Sequence, residues 1–281
     1  MNRASLLSRV GRSVLLSASK AYERLTGNCL VVETKTWWGS RMLVSLPEPA
    51  SVQIFLDGQM DPNLTEFLCH ALKPGQTFVD VGAHLGYFSL LAQHLVRPSG
   101  QVIAFEPAPQ TFALLKRNVV LAGLIQAYEL ALWSESATLS FETYGQRFSA
   151  YNSFFGPRVA PAYLHRLRKQ SVLVNAISLD KFLAQRPINI HCIKIDAEGA
   201  ELSILRGAVG ALSAQKPVVI AEVGDLGVAA APRSIEVVEF LLQRGYQAWE
   251  WRAGALHPHT VQEQYDASNL IFIHQERTQD V

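Results

Sequence analysis

Apolar positions along the chain switch between two periods. Short runs rich in β-branched or aromatic residues suit buried strands at Thr77–Val81, Gln101–Phe105, Ile125–Leu130, Val172–Ile177, Ile190–Ile195 and Pro217–Val223. Between them the apolar positions fall at helical spacing: Phe88, Leu91 and Leu95; Phe112, Leu115 and Val119; Leu202, Leu205, Val209 and Leu212 within a helix predicted over Glu201–Leu212. Asp61-Pro62 starts an earlier helix carrying Leu64, Phe67, Leu68 and Leu72, which Lys73-Pro74-Gly75 stops, and Gly123 closes the helix of Phe112. Leu179-Asp180 begins a short helix, Ile235–Arg244 forms another, and Tyr246–Trp251 with Asn269–His274 reads as a closing antiparallel pair. Strands alternating with helices of this length imply parallel βαβ crossovers, so the predicted fold class is α/β with a mostly parallel sheet and an antiparallel terminal hairpin.

The flanks depart from this rhythm. Residues 1–22 carry Arg3, Arg9, Arg12 and Lys20, no acid, and an apolar stripe through Leu6, Val10 and Val14. They predict a basic helix that packs on the domain, touches a membrane surface peripherally, or acts as a transit peptide. Residues 28–57 alternate β-type runs (Cys29–Thr34, Met42–Leu46, Val52–Phe55) with turn residues and predict a small antiparallel ribbon. Thr138–Glu142 returns as a hairpin, and 143–171 has no clear period. The expected organisation is therefore a basic helix and β extension over 1–60, then one α/β domain over 61–281 with an insert at about 143–171.

The stretch Asp80-Val-Gly-Ala-His-Leu-Gly86 joins the first strand of the domain to its first helix, the opening unit of a nucleotide-binding sheet. His84 stands where a dinucleotide fold needs its second glycine for close approach of a pyrophosphate. S-adenosylmethionine has no phosphate. Its ammonium suits an acid at a strand end, and its carboxylate suits the backbone N–H groups of the turn. Glu106 ends the next strand roughly twenty residues on, where such sheets place an acid on the ribose hydroxyls. No arginine follows to take a 2′-phosphate. The reading is a methyl donor rather than a nicotinamide cofactor, with a nicotinamide-dependent oxidoreductase as the alternative.

Composition narrows the class. The chain has 281 residues, 49% hydrophobic and 17% charged, with a net charge of +1, enough for a sizeable core and without the basic excess of a nucleic-acid binder. Cys29, Cys69 and Cys192 lie far apart without metal spacing, which predicts a reducing, cytoplasmic setting. No run approaches the ~20 apolar residues that span a bilayer.

The second charged constellation is Ile193-Lys-Ile-Asp-Ala-Glu-Gly-Ala-Glu201, which puts Lys194, Asp196 and Glu198 at the end of an apolar strand. Burying three charges there costs several kcal/mol unless they pair or meet a ligand. Helix capping explains one acid, not all. Glu201 reads as a first-turn helix charge or a partner of Arg206. Together with the first motif, Phe105-Glu-Pro107, Asn118, Ser178-Leu-Asp180, Leu205-Arg-Gly-Ala208 and Glu222, this run resembles the FkbM family of S-adenosylmethionine-dependent methyltransferases, from about Asp61 to Ile273. The resemblance implies the seven-stranded, Rossmann-like class I methyltransferase fold and O-methylation of a small molecule or glycan. Carried over by position, Asp80, Gly82, Ala83, His84 and Gly86 would hold the methionine end, Glu106 the ribose, and Ala131 and Leu132 the adenine. Asp196 would face the transferring methyl with Lys194 and Glu198 supporting it. His84 departs from the family's usual asparagine and is a second candidate base.

Residues Thr143–Gln170 are the expected lid or acceptor site. They interleave Tyr144, Phe148, Tyr151, Phe154, Phe155 and Tyr163 with Arg147, Arg158, His165, Arg166, Arg168 and Lys169. Aromatics stack on sugar faces and arginines read anions. No metal is expected; Asp196 and Glu222 suit Mg²⁺ by ligand type but show no third ligand in the sequence. The expected function is O-methylation of a hydroxyl on a saccharide, glycolipid or secondary metabolite. N-methylation and a non-catalytic methyltransferase-like binding module stay open.

Overall fold

A computed structural model describes residues 3–157, 167–225 and 231–277 of the chain. It opens on α1 (Arg3–Thr26), β1 (Leu30–Lys35), β2 (Arg41–Leu46), α2 (Pro49–Asp57) and α3 (Pro62–Ala71). The alternating part follows as β3 (Thr77–Val81), α4 (Tyr87–Val96), β4 (Gln101–Phe105), α5 (Pro109–Ala122) and β5 (Ile125–Tyr128). Next come β6 (Ala131–Leu132), β7 (Ala137–Thr143), β8 (Gln170–Ile177), α6 (Leu179–Gln185), β9 (Cys192–Ile195), α7 (Glu201–Arg206) and α8 (Val209–Gln215). The chain closes with β10 (Val218–Val223), α9 (Ser234–Leu242), β11 (Tyr246–Arg252), β12 (Ala255–Pro258) and β13 (Ser268–His274).

Among the described residues the main sheet has eight strands in the order β12-β11-β13-β10-β9-β3-β4-β5. Strands β10, β9, β3, β4 and β5 run parallel, whereas β13 is antiparallel to both β10 and β11. Seven of these match the expected sheet; the eighth, β12, extends its edge by pairing with β11. Every residue of β3 is buried, as suits a central parallel strand covered on both faces. Its alternation sends Val79 and Val81 to a core shared with Phe105, Phe182, Ile195 and Leu205. Phe78 goes to the opposite core.

That opposite core also holds Met42, Val44, Leu46, Ile54 and Phe55, so residues before 60 pack against the same sheet face as Leu90 and Val102. One side chain ties the two parts. Asn118, fully buried on α5, accepts from Leu43 N at 2.7 Å and donates to Leu43 O at 2.9 Å, as a neighbouring strand would, and also donates to Leu85 O at 2.8 Å.

Five elements differ from the sequence expectation. Val52–Phe55 belongs to helix α2, not to a strand: Glu48 caps Ala50 and Ser51, Pro49 opens the first turn, and Gly58 closes it at φ 72°. The single helix over Glu201–Leu212 is two: at the break Gly207 O accepts from Asp180 N at 3.0 Å, and the Asp180 carboxylate accepts from Gly210 N and Ala211 N at the start of α8. The third strand ends at Tyr128, and the hairpin of Thr138–Glu142 pairs with β8, not with its predecessor, in a separate three-stranded sheet ordered β6-β8-β7. In α1 the packing residues are Leu15 and Leu16. Val14 of the expected stripe is 64% exposed, and the side chains of Leu6 and Val10 lie outside the described residues. Among the described residues no helix is long and apolar enough to cross a membrane.

Replacing Asn118 with Ala leaves three backbone groups without their partner, two on Leu43 and one on Leu85. At about 1–3 kcal/mol per unsatisfied buried group, with partial relaxation, the expected loss is about 3 kcal/mol. Urea denaturation of Asn118→Ala beside wild type checks this, and an unchanged midpoint would show that the strand is held elsewhere.

Candidate active site

Across the sheet the chain reverses direction at β3, which is flanked by β4 on one side and β9 on the other. Open α/β sheets place their ligands at the carboxyl ends of the strands beside such a switch point. A cavity of about 260 Å³ lies there. Gly82, Ala83, His84, Glu106, Ala131 and Leu132 line one side, and Lys194, Asp196, Glu198 and Glu222 the other. Most of the residues predicted from the sequence therefore converge on one space. Asp80 and Gly86 stand behind its wall.

The two glycines of the first motif serve the protein before any ligand. Gly82 has φ 73°, and a Cβ there would lie 1.8 Å from the carbonyl oxygen of Asp196. Its absent side chain lets the turn after β3 nest against the turn after β9. Gly86, at φ 90°, caps α4 where a Cβ would press on Leu115 at 2.6 Å. The expected backbone cradle is also already used. Gly82 N and Ala83 N donate to Phe105 O at 3.0 Å, His84 N to Glu106 Oε2 at 2.9 Å, and Gly86 N to Ala83 O at 2.8 Å. None of these four N–H groups is free for a carboxylate or a pyrophosphate.

Glu106 is 6% exposed, and each of its oxygens accepts one backbone N–H, from His84 and from Ala108. Burial pushes its carboxyl up to about 7, against the downward pull of those two donors. His84 occupies the left-handed region at φ 51°, which explains why asparagine suits this position in the family. Its Nε2 lies 2.8 Å from Ser149 Oγ, and burial lowers its pKa, so the ring is neutral at pH 7. Ser149, in the 3-10 turn Gln146–Tyr151, carried no signal in the sequence.

Behind the opposite wall is a buried charge chain. Lys194, 2% exposed, sets its Nζ 2.9 Å from Asp196 Oδ2, 3.9 Å from Asp80 Oδ1 and 5.1 Å from the Phe88 ring centre. Burial pulls the lysine pKa down, but Asp196 and Asp80 outweigh it and hold the ammonium charged. Burial raises Asp80, partly offset by Lys194 and by the Ser89 hydroxyl at 2.6 Å. Asp80 thus faces Lys194 and Ser89, behind the residues that line the cavity.

Asp196, Glu198 and Glu222 each offer one oxygen within 4.8 Å of the others, so Glu198 supplies the third carboxylate that the sequence did not reveal beside Asp196 and Glu222. Oxygen-only ligation of this kind could hold a divalent cation such as Mg²⁺. Glu198 sits at φ 50°, in a turn braced by Glu201, whose Oε1 accepts from Ala197 N at 3.0 Å and Gly199 N at 3.2 Å. Glu201 is a first-turn charge of α7, as the sequence reads, and it is also a buried brace for the acidic turn.

Several of the insert's described side chains make structural contacts. Tyr144 is buried, Phe154 packs on Phe141 and Trp133, Phe155 stacks on Trp133, and Arg147 pairs with Glu23 of α1 at 2.7 Å. Ser149, Ala150, Asn152 and Phe154 reach the cavity. Arg158, Tyr163, His165 and Arg166 lie outside the described residues. His191 points away from the site, accepting from Thr77 N at 3.0 Å.

A parallel sheet with its crevice at the switch point, an acid after the second domain strand and an antiparallel last pair define a class I methyltransferase-like protein. The chain belongs to the FkbM methyltransferase family, whose methyltransferase FkbM domain matches residues 80–248. "Methyltransferase 1" of Beauveria bassiana is 30% identical over 148 residues, 48% of this chain and 59% of that protein. The 31-O-demethyl-FK506 methyltransferase FkbM of Streptomyces tacrolimicus is 30% identical over 197 residues, 62% of this chain and 74% of that protein. Hexuronic acid methyltransferase AglP of Haloferax volcanii is 27% identical over 168 residues, 59% of this chain and 62% of that protein. The matched region thus spans 59% of the Beauveria relative's own length.

Lys194→Met leaves Asp80 and Asp196 beside each other without their cation. Removing one partner of a buried pair costs about 3–5 kcal/mol. In the variant the Asp80 carboxyl, already raised by burial, loses the offsetting cation, and its folded pKa rises further above its unfolded value. The unfolded state then holds fewer protons than the fold as pH falls toward 5, and acidification restores stability. Denaturation of Lys194→Met at pH 7.5 and pH 5 is expected to show a deficit that shrinks at the lower pH; a deficit independent of pH would mean that lost packing dominates.

Proposed function

We propose that the chain is an S-adenosylmethionine-dependent methyltransferase acting on a hydroxyl of a saccharide, glycolipid or secondary metabolite. The observation that carries the reading is one cavity uniting Glu106 with Asp196, Glu198 and Glu222 at the sheet's switch point. Glu106 stands where the ribose hydroxyls would donate to it, and Ala131 and Leu132 offer an apolar wall for the adenine. The names of two relatives support a hydroxyl or sugar acceptor, one by its 31-O position and the other by hexuronic acid. They differ in acceptor, so the family supports the reaction more than the substrate. The N–H groups of Gly82, Ala83, His84 and Gly86 are already bonded, so this turn offers no cradle for a pyrophosphate and equally none for the methionine carboxylate.

When bound, S-adenosylmethionine supplies a methyl group on a positively charged sulfur. The chain's task is to align an acceptor oxygen with that carbon, and orientation alone can contribute roughly 7–11 kcal/mol. Asp196, held by Lys194 and 31% exposed, is placed to take the hydroxyl proton as the new C–O bond forms and the C–S bond breaks. His84, neutral and tied to Ser149, is the second candidate base.

Calorimetric titration with S-adenosylhomocysteine tests the donor half. Ribose hydroxyls bind the carboxylate of Glu106 better than its acid. Affinity is therefore expected to rise as pH climbs to about 7, by up to about tenfold per unit below that value, and then to level. Binding below pH 7 releases a proton. Glu106→Gln is expected to bind more weakly and without pH dependence. No binding by folded wild type at pH 8 would overturn the donor assignment.

Asp196→Asn tests the base. With any accepted hydroxyl substrate, kcat is expected to drop by about 10²–10⁴ while the S-adenosylhomocysteine dissociation constant stays within a few-fold. A kcat near wild type would move the role to His84.

A further inference from the structure

We infer that the acceptor is a neutral, chain-like saccharide whose flanking sugar units lie in a second cleft that joins the methyl-transfer cavity at Glu222. This rests on the methyl-transfer reading and specifies its substrate. The cleft encloses about 630 Å³, and its lining includes Asp61, Asn63, Glu222, Glu250, Arg252 and Asn269. Its size falls within the ~300–1,000 Å³ of ligand clefts. Glu222 also lines the 260 Å³ cavity, so the two spaces meet at this side chain.

Strand geometry builds the junction. Glu222 on β10 and Asn269 on β13 are directly opposed in an antiparallel pair, so their side chains stand on the same face. Asn269 donates through Nδ2 to Asp61 Oδ2 at 2.9 Å, which fixes the amide. Its Oδ1 is buried and accepts no hydrogen bond among the described residues. An unsatisfied buried acceptor is costly, and a sugar hydroxyl supplies the missing donor. Glu250 forms a rigid wall: His259 Nδ1 lies 2.7 Å from its Oε1, while His259 Nε2 lies 3.2 Å from Tyr265 OH. Arg252 pairs with Glu250 at 3.3 Å on the rim.

Charge selects within the saccharides. Asp61, Glu222, Glu250 and Asp266 outnumber Arg252 along the cleft, so a chain bearing carboxylates or phosphates would meet like charge. Hydroxyls both donate and accept, and they match this mixture of carboxylates and amide.

The test is a glycan array of neutral, amino and uronic-acid oligosaccharides, one to six units long, probed with the full chain saturated with S-adenosylhomocysteine. Hits are then measured by surface plasmon resonance. Neutral glycans of two or more units are expected to bind, and Asn269→Leu to weaken them about tenfold with S-adenosylhomocysteine affinity within twofold. Asn63→Trp plugs the cleft from an exposed position on α3 and is expected to do the same without disturbing the core. Binding of single units or uronates alone, binding of no glycan, or wild-type affinity in both variants would overturn the inference. Failure of wild type to bind S-adenosylhomocysteine would overturn both readings; nucleoside binding without neutral-glycan binding would overturn the cleft alone.

Discussion

The ammonium of Lys194 is buried where β3 and β9 lie side by side, and the active site is arranged around the need to neutralise it. An unpaired charge at 2% exposure is untenable in a folded protein. Parallel register puts Asp80 directly beside Lys194, and two residues further along β9 Asp196 turns back to the same Nζ. For that contact the turn after β9 must approach the turn after β3 closely. The approach is so tight that residue 82 has no room for a Cβ against the Asp196 carbonyl. One electrostatic requirement thus links strand register, an obligatory glycine and the orientation of the proposed base.

The cavity beside this pair is closed by segments with no mutual sequence relation. Helix α2 contributes Ala50 and Ile54, and the 3-10 turn of the insert contributes Ser149 and Ala150. These pieces hold position through a few long-range bonds. Asn118 treats β2 as an added strand, Arg147 pairs with Glu23 of α1, and His84 meets Ser149. The N-terminal segment is accordingly part of the site's wall, and loosening it at Asn118 would reach the Leu85 carbonyl in the first motif as well.

What could be read in the sequence divides along the same line. Strand β3, its glycine turn, Glu106 and the Lys194–Glu198 run are local patterns: a few adjacent residues carry both the conformation and the chemistry. Their positions in the fold follow from βαβ alternation alone. The errors arose where a distant neighbour decides. The helix that periodicity makes continuous is interrupted at Gly207, where Asp180, distant in sequence, donates through its backbone N to Gly207 O and caps Gly210 N and Ala211 N. Val52–Phe55 has strand propensity, but the Glu48 cap and Gly58 stop outweigh it. Only the fold shows that Asp80 lies beside the buried lysine, and that Glu201, a first-turn helix charge as the sequence reads, also braces the acidic turn. Tertiary contacts decide the other cases, whereas the helix at Val52–Phe55 is set by a cap and a stop that are local in the sequence.

The same reasoning explains why the donor side was more legible than the acceptor side. A nucleoside is bound by strand ends and the turns that leave them, so its contacts are contiguous in sequence. The proposed acceptor side is assembled from α2, the insert, the ends of β9 and β10, and the antiparallel pair β13–β11. Each piece contributes one or two side chains with no recurring spacing. Glu222 is the hinge between these regimes: in the sequence it is one acid near the end of an apolar strand. In the fold it faces Asp196 and Glu198 on one side and stands beside Asn269 on the other. Changing the acceptor therefore requires only substitutions in scattered wall residues, while the charge chain from Asp80 through Lys194 to Asp196 stays fixed.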